Sequence, residues 1–217
     1  MMRIVNAGKK YGELEVLHGV SVRIDDGDFI IVRGKSGSGK STLLKIIGGV
    51  LPPDEGKILW NGVDICQYKE SEMVKWRRSS LGFVFQSPEL IPYLSAKENA
   101  ALPMIYNGCP RRSALIRAGK LLKMVGLSER MNHYPAELSG GEAQRCAIAR
   151  SLGNMPSMLL CDEPSGALDP FGAKSVMKLL KMVNQYRKTV IVVTHDPAWE
   201  AFGNRVWDLS EGRLTER

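Results

Sequence analysis

Gly34-Lys35-Ser36-Gly37-Ser38-Gly39-Lys40-Ser41-Thr42 is the stretch on which the reading of the whole chain turns. It fits G-x-x-x-x-G-K-[ST] and lies between the apolar run Phe29-Ile30-Ile31-Val32 and the helical pattern Thr42-Leu43-Leu44-Lys45-Ile46-Ile47. A strand, a loop and a helix are therefore predicted in that order. Gly34, Gly37 and Gly39 let the backbone curl with its N–H groups pointing inward. The positive end of the following helix adds to them, so the concavity suits a polyphosphate. Lys40 is placed to reach the β- and γ-phosphates and the Ser41 hydroxyl to serve Mg²⁺. The glycine spacing differs from G-x-G-x-x-G, which argues against a dinucleotide site.

Working outward, two further apolar runs end in chemistry. Met158-Leu159-Leu160-Cys161 leads into Asp162 and Glu163, and Val190 to Thr194 leads into His195. Ligands of a parallel sheet gather at the carboxyl ends of its strands, so all three side chains are expected beside the phosphate loop. Asp162 suits the Mg²⁺ shell and Glu163 suits a base or polariser for water. A lone histidine is usually structural, but at this strand end His195 is expected at least equally to touch the phosphate. Leu81 to Phe85 reads as one more buried strand, and it delivers Gln86. Tyr11, beside Gly12, can stack on a base or simply pack.

Leu138-Ser139-Gly140-Gly141-Glu142 opens another helix. A capping box accounts for Ser139 and Glu142. It does not account for two glycines in the first turn, which cost about 1 kcal/mol each relative to alanine. Bare backbone N–H groups at a positive helix end make a second anion cradle the better reading. One nucleotide needs one cradle, so a head-to-tail pair follows: the Ser139 cradle of one subunit covers the nucleotide held at Lys40 of the other.

Residues 3–33 are expected as strands and turns, and Lys57 to Ile65 as a hairpin about Asn61-Gly62. A helix is predicted from Ser71 to Ser79. Ser95 and Glu98 form a capping box, Pro110 starts a helix ending near Gly126, and Pro170 to Tyr186 is the last long helix. The chain is thus expected as a single domain, 1–217. Its α/β core with a β subdomain takes 1–86 and 156–217, and a helical insertion takes 87–155. Leu90 to Leu94 and Leu102 to Tyr106 are apolar enough to be core or a partner groove.

Composition fits this: 44% hydrophobic and 24% charged residues are ordinary for a globular protein. No apolar run approaches the roughly 20 residues of a membrane span, and the start lacks a signal-type segment, so the cytosol is expected. The four cysteines are scattered and read as reduced, mostly buried hydrophobes. A net charge of +7 clusters at Arg77-Arg78, Arg111 to Lys123 and Lys174 to Lys188. Solvated helix faces explain these clusters, with nucleic acid or an anionic membrane as the other readings.

The order GKSGSGKST, Gln86, LSGGE, LLCDEP, SGALD and His195 resembles the ATPase subunit of ABC transporters over essentially the whole chain. FVFQ, SAKENAALPMIYNG, LSGGEAQRCAIAR, DEPSGALD and VVTHD resemble the lipoprotein-releasing and macrolide-export branch, LolD/MacB, more than sugar importers. The resemblance implies a P-loop NTPase (RecA-like) α/β core with a mixed sheet, an N-terminal antiparallel β subdomain and an inserted helical subdomain. It implies ATP and Mg²⁺, with Tyr11 stacking on adenine. It also implies that Gln86 joins the Mg²⁺ site and couples it to a membrane partner. Ser139 to Glu142 would contact the opposite ATP, Asp169 would cross the dimer interface, and His195 would hold the γ-phosphate. The implied partners are an integral membrane permease, for export or extraction, and a second copy in the ATP-bound homodimer, at the cytoplasmic face of the membrane. Cys161, Glu142 and Ala143 depart from the family's usual residues without removing a ligand. A cell-division relative that transmits force is one alternative. A soluble ABC ATPase acting on nucleic acid is another, but it usually shows a long coiled coil or a second cassette, and neither is found here. A small-molecule P-loop kinase leaves the second cradle unexplained.

Overall fold

A computed structural model describes all 217 residues. The chain runs β1 (Met2–Tyr11), β2 (Leu14–Ile24), β3 (Phe29–Arg33), α1 (Lys40–Ile47), β4 (Glu55–Trp60), β5 (Val63–Asp64), α2 (Glu70–Ser80) and β6 (Leu81–Val84). It continues through α3 (Ala96–Tyr106), α4 (Arg111–Met124), α5 (Gly140–Ser151), β7 (Met158–Asp162), α6 (Pro170–Gln185), β8 (Thr189–Val193), β9 (Arg205–Ser210) and β10 (Arg213–Glu216). No helix is long and apolar enough to cross a membrane.

Two sheets form. The smaller is antiparallel, in the order β2-β1-β4-β5. The larger runs β10-β9-β3-β8-β7-β6, parallel throughout except for β10, which is antiparallel to β9. The expected mixed sheet and antiparallel β portion are both present.

The continuous apolar runs of β3, β7 and β8 follow from burial on two faces. Phe29, Ile31, Leu159, Cys161, Val190 and Val192 pack with α3, α4, α5 and α6. Ile30, Val32, Met158, Leu160, Ile191 and Val193 face the other way, into a core shared with α1 and the antiparallel sheet. Period-two alternation thus assigns each side chain of one strand to one of two cores. On the first face, alanines at 96, 100, 101, 114 and 118 let α3 and α4 approach closely. On the second, α1 buries Leu43, Leu44, Ile46 and Ile47, each worth about 1.5–3 kcal/mol on full burial.

Some boundaries differ from the sequence reading. The hairpin strand ends at Asp64, because the Asp64 carboxylate accepts from the Cys66 N–H at 3.1 Å and starts a short 3₁₀ turn that buries Ile65. The cysteines are not mostly buried: Cys146 and Cys161 are, but Cys66 is exposed and Cys109 is half-buried. Burial pushes the Cys146 thiol up to about 11 and Cys161 higher still.

Candidate active site

β3, β8, β7 and β6 are consecutive neighbours in the sheet and point the same way. Their carboxyl ends therefore release four loops side by side: the glycine loop, His195, Asp162-Glu163 and Gln86. These loops line one cavity of about 410 Å³, whose walls include Ser36, Gly37, Gly39, Lys40, Ser41, Thr42, Gln86, Asp162, Glu163 and His195.

The glycine loop leaves its donors free. Gly39 caps α1 with φ 97°, a left-handed conformation, and offers no side-chain cap, so first-turn N–H groups stay available. At Gly34 a Cβ would collide with the Leu209 carbonyl and Ser38 Oγ. Lys40 is only 8% exposed, and its Nζ donates to the Gly34 and Lys35 carbonyls at 2.8 and 2.9 Å. Ser38 Oγ is buried with no partner at all. A buried ammonium and an orphaned hydroxyl around an open loop fit a polyphosphate.

Ser41 Oγ donates to Asp162 Oδ1 at 3.1 Å, so a hydroxyl and a carboxylate oxygen stand together at the cavity wall. No three His, Cys, Asp or Glu side chains stand so that they could hold a metal ion among themselves. A donor pair this sparse and this hard fits Mg²⁺, which completes its shell with phosphate oxygens and water.

Glu163 follows the end of β7 with φ 47°, which in a residue with a side chain costs about 1–3 kcal/mol. Its N–H bonds the Val193 carbonyl at 2.9 Å, holding the strained turn against β8. The turn aims the carboxylate at His195, whose Nδ1 lies 2.9 Å from Glu163 Oε1. Gln86 lies against the next turn: a Cβ at Gly166 would sit 3.2 Å from its Nε2.

Other expected site residues lie outside this cavity. Tyr11 ends β1, half exposed. Asp169 caps α6, accepting from the Phe171 and Gly172 N–H groups at 2.9 and 3.0 Å. Ser139 and Glu142 form the expected capping box: Glu142 Oε2 accepts from the Ser139 N–H at 2.8 Å, and Ser139 Oγ accepts from the Glu142 N–H at 3.3 Å. The Ser139 N–H holds the Glu142 carboxyl below the usual carboxylate range, and Arg130, 3.0 Å from its Oε1, lowers it further.

Two participants escaped the sequence reading. Val16 of β2 lines the cavity beside Gly39, and a single valine in a strand carries no local signal of that. Arg130 reaches Glu142 from outside the α5 motif, across a loop that has no periodicity to read.

A nucleotide loop leading into α1, with an acidic pair ending β7, the parallel strand next but one, defines a P-loop nucleoside triphosphatase. The second glycine-rich helix start at Ser139 narrows the class to ATP-binding cassettes, and the chain belongs to the ABC transporter family, which residues 17–166 match. It is similar to the lipoprotein-releasing system ATP-binding protein LolD of Bacteroides fragilis, at 39% identity over 99% of this chain and all of that one. It is also 43% identical to the macrolide export ATP-binding/permease protein MacB of Nitrosomonas europaea, over 95% of this chain but 32% of that protein. The dimeric post-hydrolysis structure of the ATP-binding cassette MJ0796, bound to ADP and Pi, superposes with a TM-score of 0.91. That cassette is 40% identical, with 100% of this chain and 98% of that one covered. The chain is an ATPase of LolD- and MacB-like type.

Proposed function

We propose that two copies of this chain close head-to-tail over two MgATP and, through hydrolysis, drive an integral membrane permease that exports or extracts a hydrophobic substrate, lipoprotein or peptide. One observation carries the paired state. Neither Gly140 nor Gly141 has a positive φ, and a Cβ there would meet nothing in this chain nearer than 3.4 and 3.6 Å. The fold of one chain does not need these glycines. A ligand or chain approaching from outside does, and the dimeric MJ0796 cassette supports a second copy as its source.

In this reading Lys40 leaves the Gly34 and Lys35 carbonyls for the β- and γ-phosphates, and the unclaimed N–H groups of α1 hold the remaining phosphate charge. Ser41, Asp162 and Gln86 would hold Mg²⁺, which when bound neutralises charge developing on the phosphate oxygens. Glu163 orients the attacking water and accepts its proton. His195, hydrogen-bonded to Glu163, is positioned for the γ-phosphate. The Gly140 and Gly141 N–H groups of the partner cover that phosphate from the other side and exclude water. Tyr11 with Val16 takes the adenine, and Asp169 crosses the interface from its cap.

The permease would dock on the helical segment, residues 87–155. Tyr93 and Tyr106 are 76% and 68% exposed, and Phe85 just before the segment is exposed as well, aromatic side chains of the kind that mark a partner. In the MacB relative a cassette like this one shares its chain with a permease, which supports such a partner. The chain would then sit peripherally at the cytoplasmic face of the membrane.

The deciding experiment is sedimentation of a Glu163→Gln chain with ATP. A dimer in ATP but not ADP, abolished by adding Gly141→Arg while ATP still binds, supports the reading. A chain that stays monomeric with ATP bound refutes it.

A further inference from the structure

Gln144 is the least expected buried side chain in the molecule. It lies on α5, four residues past Gly140, and is 1% exposed. Its Nε2 donates to the carbonyl of Phe85 at 2.8 Å, while its Oε1 is buried without any donor. An apolar side chain would fill the same space without leaving an acceptor orphaned. What the amide alone can do here is hold the Phe85 carbonyl, one residue before Gln86.

The same helix holds the far side of the Gln86 loop. Arg150 donates to the Pro88 and Glu89 carbonyls at 2.7 and 2.5 Å, and Glu89 adopts a left-handed φ of 47°. Asn99 of α3, fully buried, then fixes Ile91 through both its N–H and its carbonyl, and also the Leu94 carbonyl at 2.9 Å. Between the Gln144 and Arg150 anchors lie only Gln86 and Ser87. Two residues so tethered cannot move independently of α5, a rigid rod of about 18 Å at 1.5 Å per residue. The N-terminus of that rod is the Gly140-Gly141 cradle.

We propose that Gln144 and Arg150 are positioning residues that transmit the seating of α5 on the partner's nucleotide to Gln86, so that each ATP site is completed only when the other is occupied. This rests on the reading above, in which the cradle meets the partner's ATP and Gln86 serves the metal site. Seating α5 shifts the Phe85 and Pro88-Glu89 carbonyls together, and the Gln86 side chain, lying against Gly166, is carried toward or away from Asp162. The two sites of the dimer are thereby coupled through hydrogen bonds within each chain.

The test uses the full chain with Gln144→Met, which keeps the volume and removes the donor, and Arg150→Lys, which keeps the cation and reduces the fork to one point. Steady-state turnover is measured against ATP and against free Mg²⁺, with equilibrium binding of a fluorescent ATP and thermal unfolding alongside. We expect ATP affinity and unfolding midpoint near native, turnover lower by roughly tenfold or more, and a weaker Mg²⁺ dependence like that of Gln86→Ala. The Hill coefficient for ATP should fall toward one, and Gln86→Ala/Gln144→Met should be no worse than Gln86→Ala alone, because both act on one path. Fully additive losses in the double variant overturn the inference, as does native turnover and cooperativity in both Gln144→Met and Arg150→Lys. A crippled Gln86→Ala beside native Gln144→Met and Arg150→Lys leaves the site reading standing and removes only the coupling. A native Gln86→Ala removes the site role of Gln86 and the inference with it.

Discussion

Nδ1 of His195 and Oε1 of Glu163 stand 2.9 Å apart although 32 residues separate them in the chain, because β7 and β8 are paired neighbours that end together. This contact makes Glu163→Gln a clean probe. The amide preserves size and can still bond the imidazole, so nucleotide binding and the site's geometry should persist while the carboxylate proposed to accept the water's proton is lost. Turnover should fall by at least about a hundredfold, with ATP-bound dimer accumulating. Single-turnover phosphate release against nucleotide affinity reads both, and normal release in this variant would exclude Glu163 from the chemistry.

Gly141→Ala separates folding from function. The residue is helical, has no positive φ and leaves room for a Cβ, so alanine should raise stability by up to about 1 kcal/mol. The same methyl stands on the surface proposed to meet the partner's triphosphate, so ATP-driven dimerisation and turnover should drop. A denaturation midpoint that rises while ATPase activity falls is the expected pair. Equal activity in a stabilised variant would leave these glycines without a role at an interface.

Much of this site could be read from the chain because its parts are local. Each apolar run that ends in Asp162-Glu163, His195 or Gln86 is a buried parallel strand, and the strand-end rule alone gathers them at Lys40. Of the antiparallel sheet, a strand and a hairpin were legible, since Val20, Val22 and Ile24 alternate and Asn61-Gly62 turns, but its assembly was implied only by the family resemblance. What could not be read depends on distance. Arg130 finds Glu142, Val16 curls in beside Gly39, and Gln144 looks like any polar residue on a helix until its carbonyl partner, 59 residues away, is known. Asp169 shows the reverse: one chain assigns its carboxylate to a helix cap.

Two capping boxes set a pH limit on the helical segment. Glu98 is held below its ordinary value of 4.5 by the Ser95 N–H, then the Ser95 hydroxyl and Arg111; Glu142 is held below the same value by the Ser139 N–H, aided by Arg130. Both bind their proton less readily folded than unfolded. Their stabilisation is therefore fully present above about pH 4.5 and is lost as pH falls through the lower folded values. Glu98→Gln and Glu142→Gln should flatten the decline of the thermal midpoint between about pH 5 and 3. An unchanged slope in the double variant would show that other carboxylates govern acid unfolding.

Tyr93 and Tyr106 carry the last prediction. An exposed aromatic contributes little to a fold, so replacing either with glutamate should leave the unfolding midpoint nearly unchanged. Both rings lie on the helical segment, Tyr106 at the end of α3 with its carbonyl bonded by Arg78 at 3.0 Å, so an acidic side chain there alters a surface already anchored to the core. If this surface seats the permease, burying a new carboxylate against apolar partner atoms is costly, and Tyr93→Glu/Tyr106→Glu should lose co-purification with the membrane protein. ATP-driven pairing of the Glu163→Gln form should survive the same two changes, because neither tyrosine borders the nucleotide cavity. Undiminished co-purification would move the docking surface elsewhere on the chain.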